Sequence, residues 1–122
     1  MAFTEHLQRI VSSVDGAIAC SVMGFDGIAV ETQHAADNDG TSLELSNAWV
    51  EFANVLSQLK STAETLKTGK VAELSINSEN VITLMRMVNA DYFVVLALKP
   101  SENYGKGRYV LRITAPKLAA DL

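Results

Sequence analysis

The chain is poor in the residue types on which small enzymes and metal proteins depend. Its single cysteine, Cys20, cannot close an internal disulfide, and no second thiol offers a C-x₂-C pair for a metal. His6 and His34 are the whole imidazole supply; they fit no H-x₃-H spacing, and surface histidines account for both. Glycine is missing where a phosphate loop would need it. Gly69-Lys70 lacks the preceding glycine and following hydroxyl of a P-loop, and Gly105-Lys106-Gly107 meets Val110 where a dinucleotide fingerprint has glycine. Ten basic side chains face fourteen acidic ones, and the net charge of −4 argues against general nucleic-acid binding. No apolar run reaches the roughly 18 residues of a membrane span, and His6 and Arg9 interrupt the first apolar positions where a signal peptide would have its core. A cytoplasmic protein without metal or cofactor is the expectation.

What the chain does have is apolar mass. With 122 residues, 48% of them hydrophobic, residues 1–122 are expected to form one folded domain with a real core. The largest concentration runs from Thr41 to Lys67, behind Thr41 or Ser42 as N-cap with Glu44 placed for a capping box. Leu45, Trp49, Phe52, Leu56, Leu59, Ala63 and Leu66 alternate spacings of four and three, the seam that lets one helix lie along another. Ala48, Val50, Ala53 and Val55 widen it, so this helix is able to cover a sheet with one flank and meet a partner with the other.

Around it the pattern changes period. Phe3, Leu7, Ile10, Val11 and Val14 repeat at helical spacing behind Thr4, ending at Asp15-Gly16. Ala17 to Met23 reads as a buried strand with Ile18, Cys20 and Val22 on one face and the small Ala17, Ala19 and Ser21 on the other, which would let a helix approach closely. Gly24-Phe25-Asp26-Gly27 supplies turn chemistry, and Ile28, Val30 and Thr32 alternate as the return strand of a hairpin. A polar loop, His34 to Gly40, leads to the long helix. Beyond Gly69 the runs Val71–Ile76, Val81–Val88 and Tyr92–Leu98 form a meander, with YFVVLAL apolar at every position and therefore central and covered on both faces. The tail from Gly105 is helical in pattern, and Pro116 predicts a break near Thr114. The element order is αββαβββα.

Candidate chemistry is thin. Cys20 lies mid-strand in an apolar run, the setting of an inert thiol. Asp37 and Asp39 fall in a turn-rich loop with no apolar neighbour to raise a carboxyl pKa. Met85 and Met87 share a strand face with Val81 and Thr83, as core or sheet-covering surface. Arg86 stands alone among Ile82, Leu84 and Val88, either meeting a carboxylate or snorkelling to the sheet edge. Charge is uneven along the chain, acidic through residue 60 and basic near the end through Lys99, Lys106, Arg108, Arg112 and Lys117; solvated faces explain this as well as docking onto a charged protein does.

Four features in this order resemble the Roadblock family, which includes dynein light chains and bacterial MglB-like domains. They are the F-D-G-I turn at Phe25 to Ile28, the long amphipathic helix, the VITLMRMVNADYFVVLAL meander, and the G-x-x-R step of Gly105 to Arg108. The resemblance covers essentially the whole chain. It implies an α+β three-layer sandwich: a five-stranded antiparallel sheet in order 2-1-5-4-3, the long helix on one face, the terminal helices on the other. Similar domains dimerise by pairing long helices and joining third strands edge to edge, which would give the seam residues Leu45 to Leu66 their role in a homodimer, or in a heterodimer with another Roadblock protein.

The resemblance further implies a non-catalytic regulator or scaffold of a small Ras-like GTPase. In bacterial relatives the GTPase docks on the long-helix side, which makes Asn47, Glu51, Asn54, Gln58 and Lys60 the contact candidates, although solvation explains them equally. No arginine is evident in a protruding loop, so repositioning of the GTPase's own residues is favoured over an inserted arginine. Pro116 and a short C-terminus depart from the family pattern. The alternatives are an adaptor subunit of a motor or signalling complex, and a PAS- or GAF-like small-molecule sensor, for which convergent buried polar groups are lacking.

Overall fold

The computed structural model of the protein describes residues 2–35, 41–100 and 104–122, with side chains omitted for Ala2 and residues 41–44. The loop expectation for Asp37 and Asp39, and the capping side chains of the long helix, lie outside the described residues. In chain order the elements are α1 (Ala2–Ser13), β1 (Ala17–Gly24), β2 (Ala29–His34), α2 (Thr41–Leu66), β3 (Glu73–Asn77), β4 (Ile82–Met87), β5 (Tyr92–Leu98) and α3 (Tyr104–Ala119). The five strands form one antiparallel sheet in the order β2-β1-β5-β4-β3.

Strict alternation along β5 explains the three layers. Val94, Leu96 and Leu98 face one way and Phe93, Val95 and Ala97 the other, all six buried, as an unbroken apolar strand at the centre of a sheet requires. The first set packs beneath Phe3, Leu7, Ile10 and Val14 of the α1 segment and Leu111 and Leu118 of α3. The second packs beneath Leu45, Trp49, Ala53 and Leu56 of α2. α2 therefore covers one face alone, and the terminal helices share the opposite one.

Two expectations need correction. β1 does not divide as simple alternation predicts. Its register against β5 shifts between Ala17 and Ala19, so Ile18 passes to the α2 side with Ala19 and Met23 while Ala17 joins Cys20 and Val22 under α1 and α3. Nor does Pro116 break the last helix. α3 runs through it, because Leu111, Thr114, Ala115 and Leu118 form one buried stripe while Pro116 lies on the solvent side, where a carbonyl left without its helical donor carries no burial penalty.

α3 approaches the sheet closely at Gly107. A Cβ there would lie 2.9 Å from Leu84 Cδ1 and 3.1 Å from Leu98 Cδ1, whereas one on Gly105 would meet open space. At the hairpin, Gly27 adopts φ +86° and Asp26 Oδ1 accepts a 3.0 Å bond from the Ile28 amide, the local chemistry of an Asp-Gly turn. Ile28 and Val30 remain exposed along the β2 edge.

Candidate functional site

The seam of α2 splits along its length. Leu45, Trp49 and Leu56 are 8%, 2% and 1% exposed and belong to the chain's own core, so they are closed to any second helix. Phe52 and Ala63 are half-buried, and Leu59 and Leu66 stand out at 38% and 67%. The cause is geometric. A repeat of 3.5 residues on a helix of 3.6 drifts by about 20° per heptad, so a row that starts over the sheet ends on the helix flank three heptads later. Val55, 43% exposed, joins Leu59 and Leu66 on that flank.

The opposite flank is built differently. Ser57, Lys60, Ser61 and Glu64 line an open cleft of about 430 Å³ bordered by the β1–β2 turn and by Ala90, Asp91 and Tyr92. Lys60 sits inside this wall: its ammonium donates to the Ala90 carbonyl at 3.0 Å and lies 3.8 Å from the centroid of the Phe25 ring, itself tilted against Phe93 at 5.3 Å. Val50 packs over Gly27, where an added Cβ would come within 3.2 Å of it. Of the five polar contact candidates, then, Lys60 is occupied within the fold, while Asn47, Glu51, Asn54 and Gln58 form one exposed stripe directly opposite the sheet.

Beyond α2's apolar flank the layer over β3 and β4 is incomplete. Phe52, Leu74, Ile76 and Val81 are only half-buried at the margin of the α2 core. Among the described residues, no strand pairs the outer edge of β3. Exposed apolar flank, half-covered sheet and an edge that no described strand pairs thus meet on one side of the chain, features that on other proteins often accompany interaction surfaces.

On the other face of the sheet Arg86 finds a carboxylate of its own chain. Its guanidinium bonds Glu73 Oε2 at 2.9 Å, directly across the β3–β4 pair, and Arg108 of α3 bonds the other oxygen, tying three elements together. The Arg108 hydrogen bond, with Arg86 in support, holds the Glu73 carboxyl below the usual carboxylate range. Neither Glu73 nor Gly107 could be assigned a role from sequence alone, since each matters only through partners on other elements, nine or more residues away. Burial pushes the Cys20 thiol far up, away from reactivity. Among the described residues, no cluster of three or more His, Cys, Asp or Glu side chains could hold a metal, and no helix is long and apolar enough to cross a membrane. The indole nitrogen of Trp49 is buried without a hydrogen-bond partner among the described residues.

A five-stranded 2-1-5-4-3 sheet with one long helix on one face and two helices on the other is the architecture of a Roadblock domain, and comparison with solved structures places the chain there. It belongs to the Roadblock family. Over the full length of both chains it is 58% identical to MglC from Myxococcus xanthus, with a TM-score of 0.71. A Roadblock/LC7 domain from Streptomyces avermitilis shares the fold at 9% identity and a TM-score of 0.80, covering 96% of this chain and 94% of that one. The gliding protein MglB from Thermus thermophilus does so at 15% identity and 0.84, covering 96% and 85%. No family model matches the chain, and neither does any curated protein.

Proposed function

We propose that the protein is a non-catalytic, dimer-forming regulator or scaffold in the pathway of a small Ras-like GTPase. The observation that carries this reading is the division of α2, with Trp49, Ala53 and Leu56 closing the core while Val55, Leu59 and Leu66 face outward beside the half-covered β3–β4 margin. A second Roadblock chain, identical or not, would lay its own α2 along that flank and its β3 against the free edge. The likeness to MglC and the shared fold of MglB support the GTPase assignment. Asn47, Glu51, Asn54 and Gln58 then offer the partner a polar stripe on the same side.

Activation by an inserted arginine is disfavoured. The four arginines lie on regular elements, Arg9 in α1, Arg86 in β4, Arg108 and Arg112 in α3, and none on a projecting loop or on the α2 side chosen for docking. The GTPase's own catalytic residues would be repositioned instead. The test is sedimentation velocity of the protein alone and with a Ras-like GTPase loaded with GDP or a non-hydrolysable GTP analogue. A dimer that binds the GTP form selectively is expected. A dimer indifferent to nucleotide would leave an adaptor, and a monomer would overturn the pairing.

A further inference from the structure

The solvent side of α3 is not a plain polar face. Gly107, Leu111, Thr114, Ala115 and Leu118 are buried on one stripe. At about 100° per residue the positions directly opposite are Tyr109, Ile113 and Pro116. Tyr109 is 53% exposed and Ile113 42%, although neither has a core to fill on that side. Lys106 and Lys117 flank this apolar ridge on one side and Arg112 on the other, with the Arg112 guanidinium 5.5 Å from the Tyr109 ring. The helix has no acidic residue in its first turn and a lysine in its last. The carboxylate that α3 meets on the sheet, Glu73, is already paired with Arg86 and Arg108. On the same face α1 exposes Glu5 and Arg9, which offset each other, and Asp121 lies beyond the end of α3. A cationic rim around an apolar crest is thus displayed by a chain whose net charge is −4.

We infer that the outer face of α3 docks on an anionic lipid bilayer, peripherally and without insertion of a helix. The crest is about one residue wide and convex, on the outermost layer of the sandwich. Fluid headgroups adapt to such a ridge, with Tyr109 and Ile113 below the phosphate level and Lys106, Arg112 and Lys117 at it. An acidic protein would need a preformed groove of matching depth. One protomer suffices for this contact, so failure of the pairing proposed above would leave it intact.

The full chain is tested by co-sedimentation with vesicles of phosphatidylcholine alone and of phosphatidylcholine mixed with phosphatidylglycerol in equal parts. Binding is expected to the mixed vesicles only, weakening as salt screens the charges. Each cation near an anionic leaflet is worth roughly a fivefold change in partition, so Arg112→Glu combined with Lys117→Glu is expected to lower it by at least about twenty-five-fold, the loss from the two cations alone. Lys70→Glu, exposed and outside α3, alters net charge without removing the face and is expected to retain binding. All these positions are solvent-facing, and an unchanged far-ultraviolet spectrum checks the fold. Equal sedimentation with both vesicle types, indifference to the double substitution, or preference for a poly-glutamate peptide over the mixed vesicles would each overturn the inference.

Discussion

Truncating Leu56 and Leu59 separately tests how the long helix divides its labour. The two residues are less than one turn apart on the same seam, yet one is 1% and the other 38% exposed. Leu56→Ala empties a site packed among Trp49, Ala53 and the strands beneath, so it is expected to cost about 3 kcal/mol of folding stability through lost transfer energy and a residual cavity. For a chain of this size that lowers the melting temperature by about 10 °C. Leu59→Ala leaves no enclosed cavity and in an isolated protomer should cost about 1 kcal/mol or less. Its effect should appear in association instead. If Leu59 lies against a second chain, alanine weakens the dimer by about tenfold and Leu59→Glu, which would bury an unpaired charge, dissociates it. Denaturant unfolding at a concentration where the protein is monomeric reads the first quantity, and sedimentation velocity across a concentration series reads the second. The reasoning is refuted if Leu56→Ala changes the mass without changing monomer stability, or if Leu59→Ala destabilises the monomer as much as Leu56→Ala does.

Gly107→Val is expected to destabilise the fold by about 3 kcal/mol, because its side chain must displace Leu84 and Leu98, while Gly105→Ala at the open neighbouring position stabilises slightly through helix propensity; thermal melts distinguish the two. Glu73 makes a pH-dependent contribution whose sign is set by its lowered folded-state pKa. The contribution is complete above the ordinary carboxylate range and is lost as pH falls through that range toward the lowered value. Glu73→Gln should therefore flatten the acid limb of a stability-against-pH curve while leaving α3 folded, and an unchanged acid limb would exclude the clamp.

Much of the fold was legible because it rests on local rules. YFVVLAL is apolar at every position, and only a central strand covered on both faces buries it all, as β5 is. The Asp26-Gly27 turn follows from a side-chain acceptor two residues before an amide and a residue able to take positive φ. The two misjudged features share a cause. The bulge that sends Ile18 to the α2 face is fixed by pairing with β5, some eighty residues later, and the survival of α3 through Pro116 is fixed by the sheet beneath it. The candidate site was half legible. Periodicity marked α2 as carrying more apolar surface than a core needs, but could not say at which residue the seam leaves the sheet, nor that Lys60 is held by Phe25 and Ala90.

By itself the sequence determined the element order, the central strand and the surplus of apolar surface on one helix, since each depends on the spacing of side chains along a continuous backbone. The tertiary structure alone decided which members of that surplus stay outside. Leu45, Trp49 and Leu56 are core, while Val55, Leu59 and Leu66 remain available, because the direction in which a helix lies on its sheet is set by contacts distant in sequence. The same holds for Glu73, whose two arginines come from β4 and α3, and for the crest of α3, which faces outward because Gly107, Leu111 and Leu118 on the opposite side pack upon the sheet.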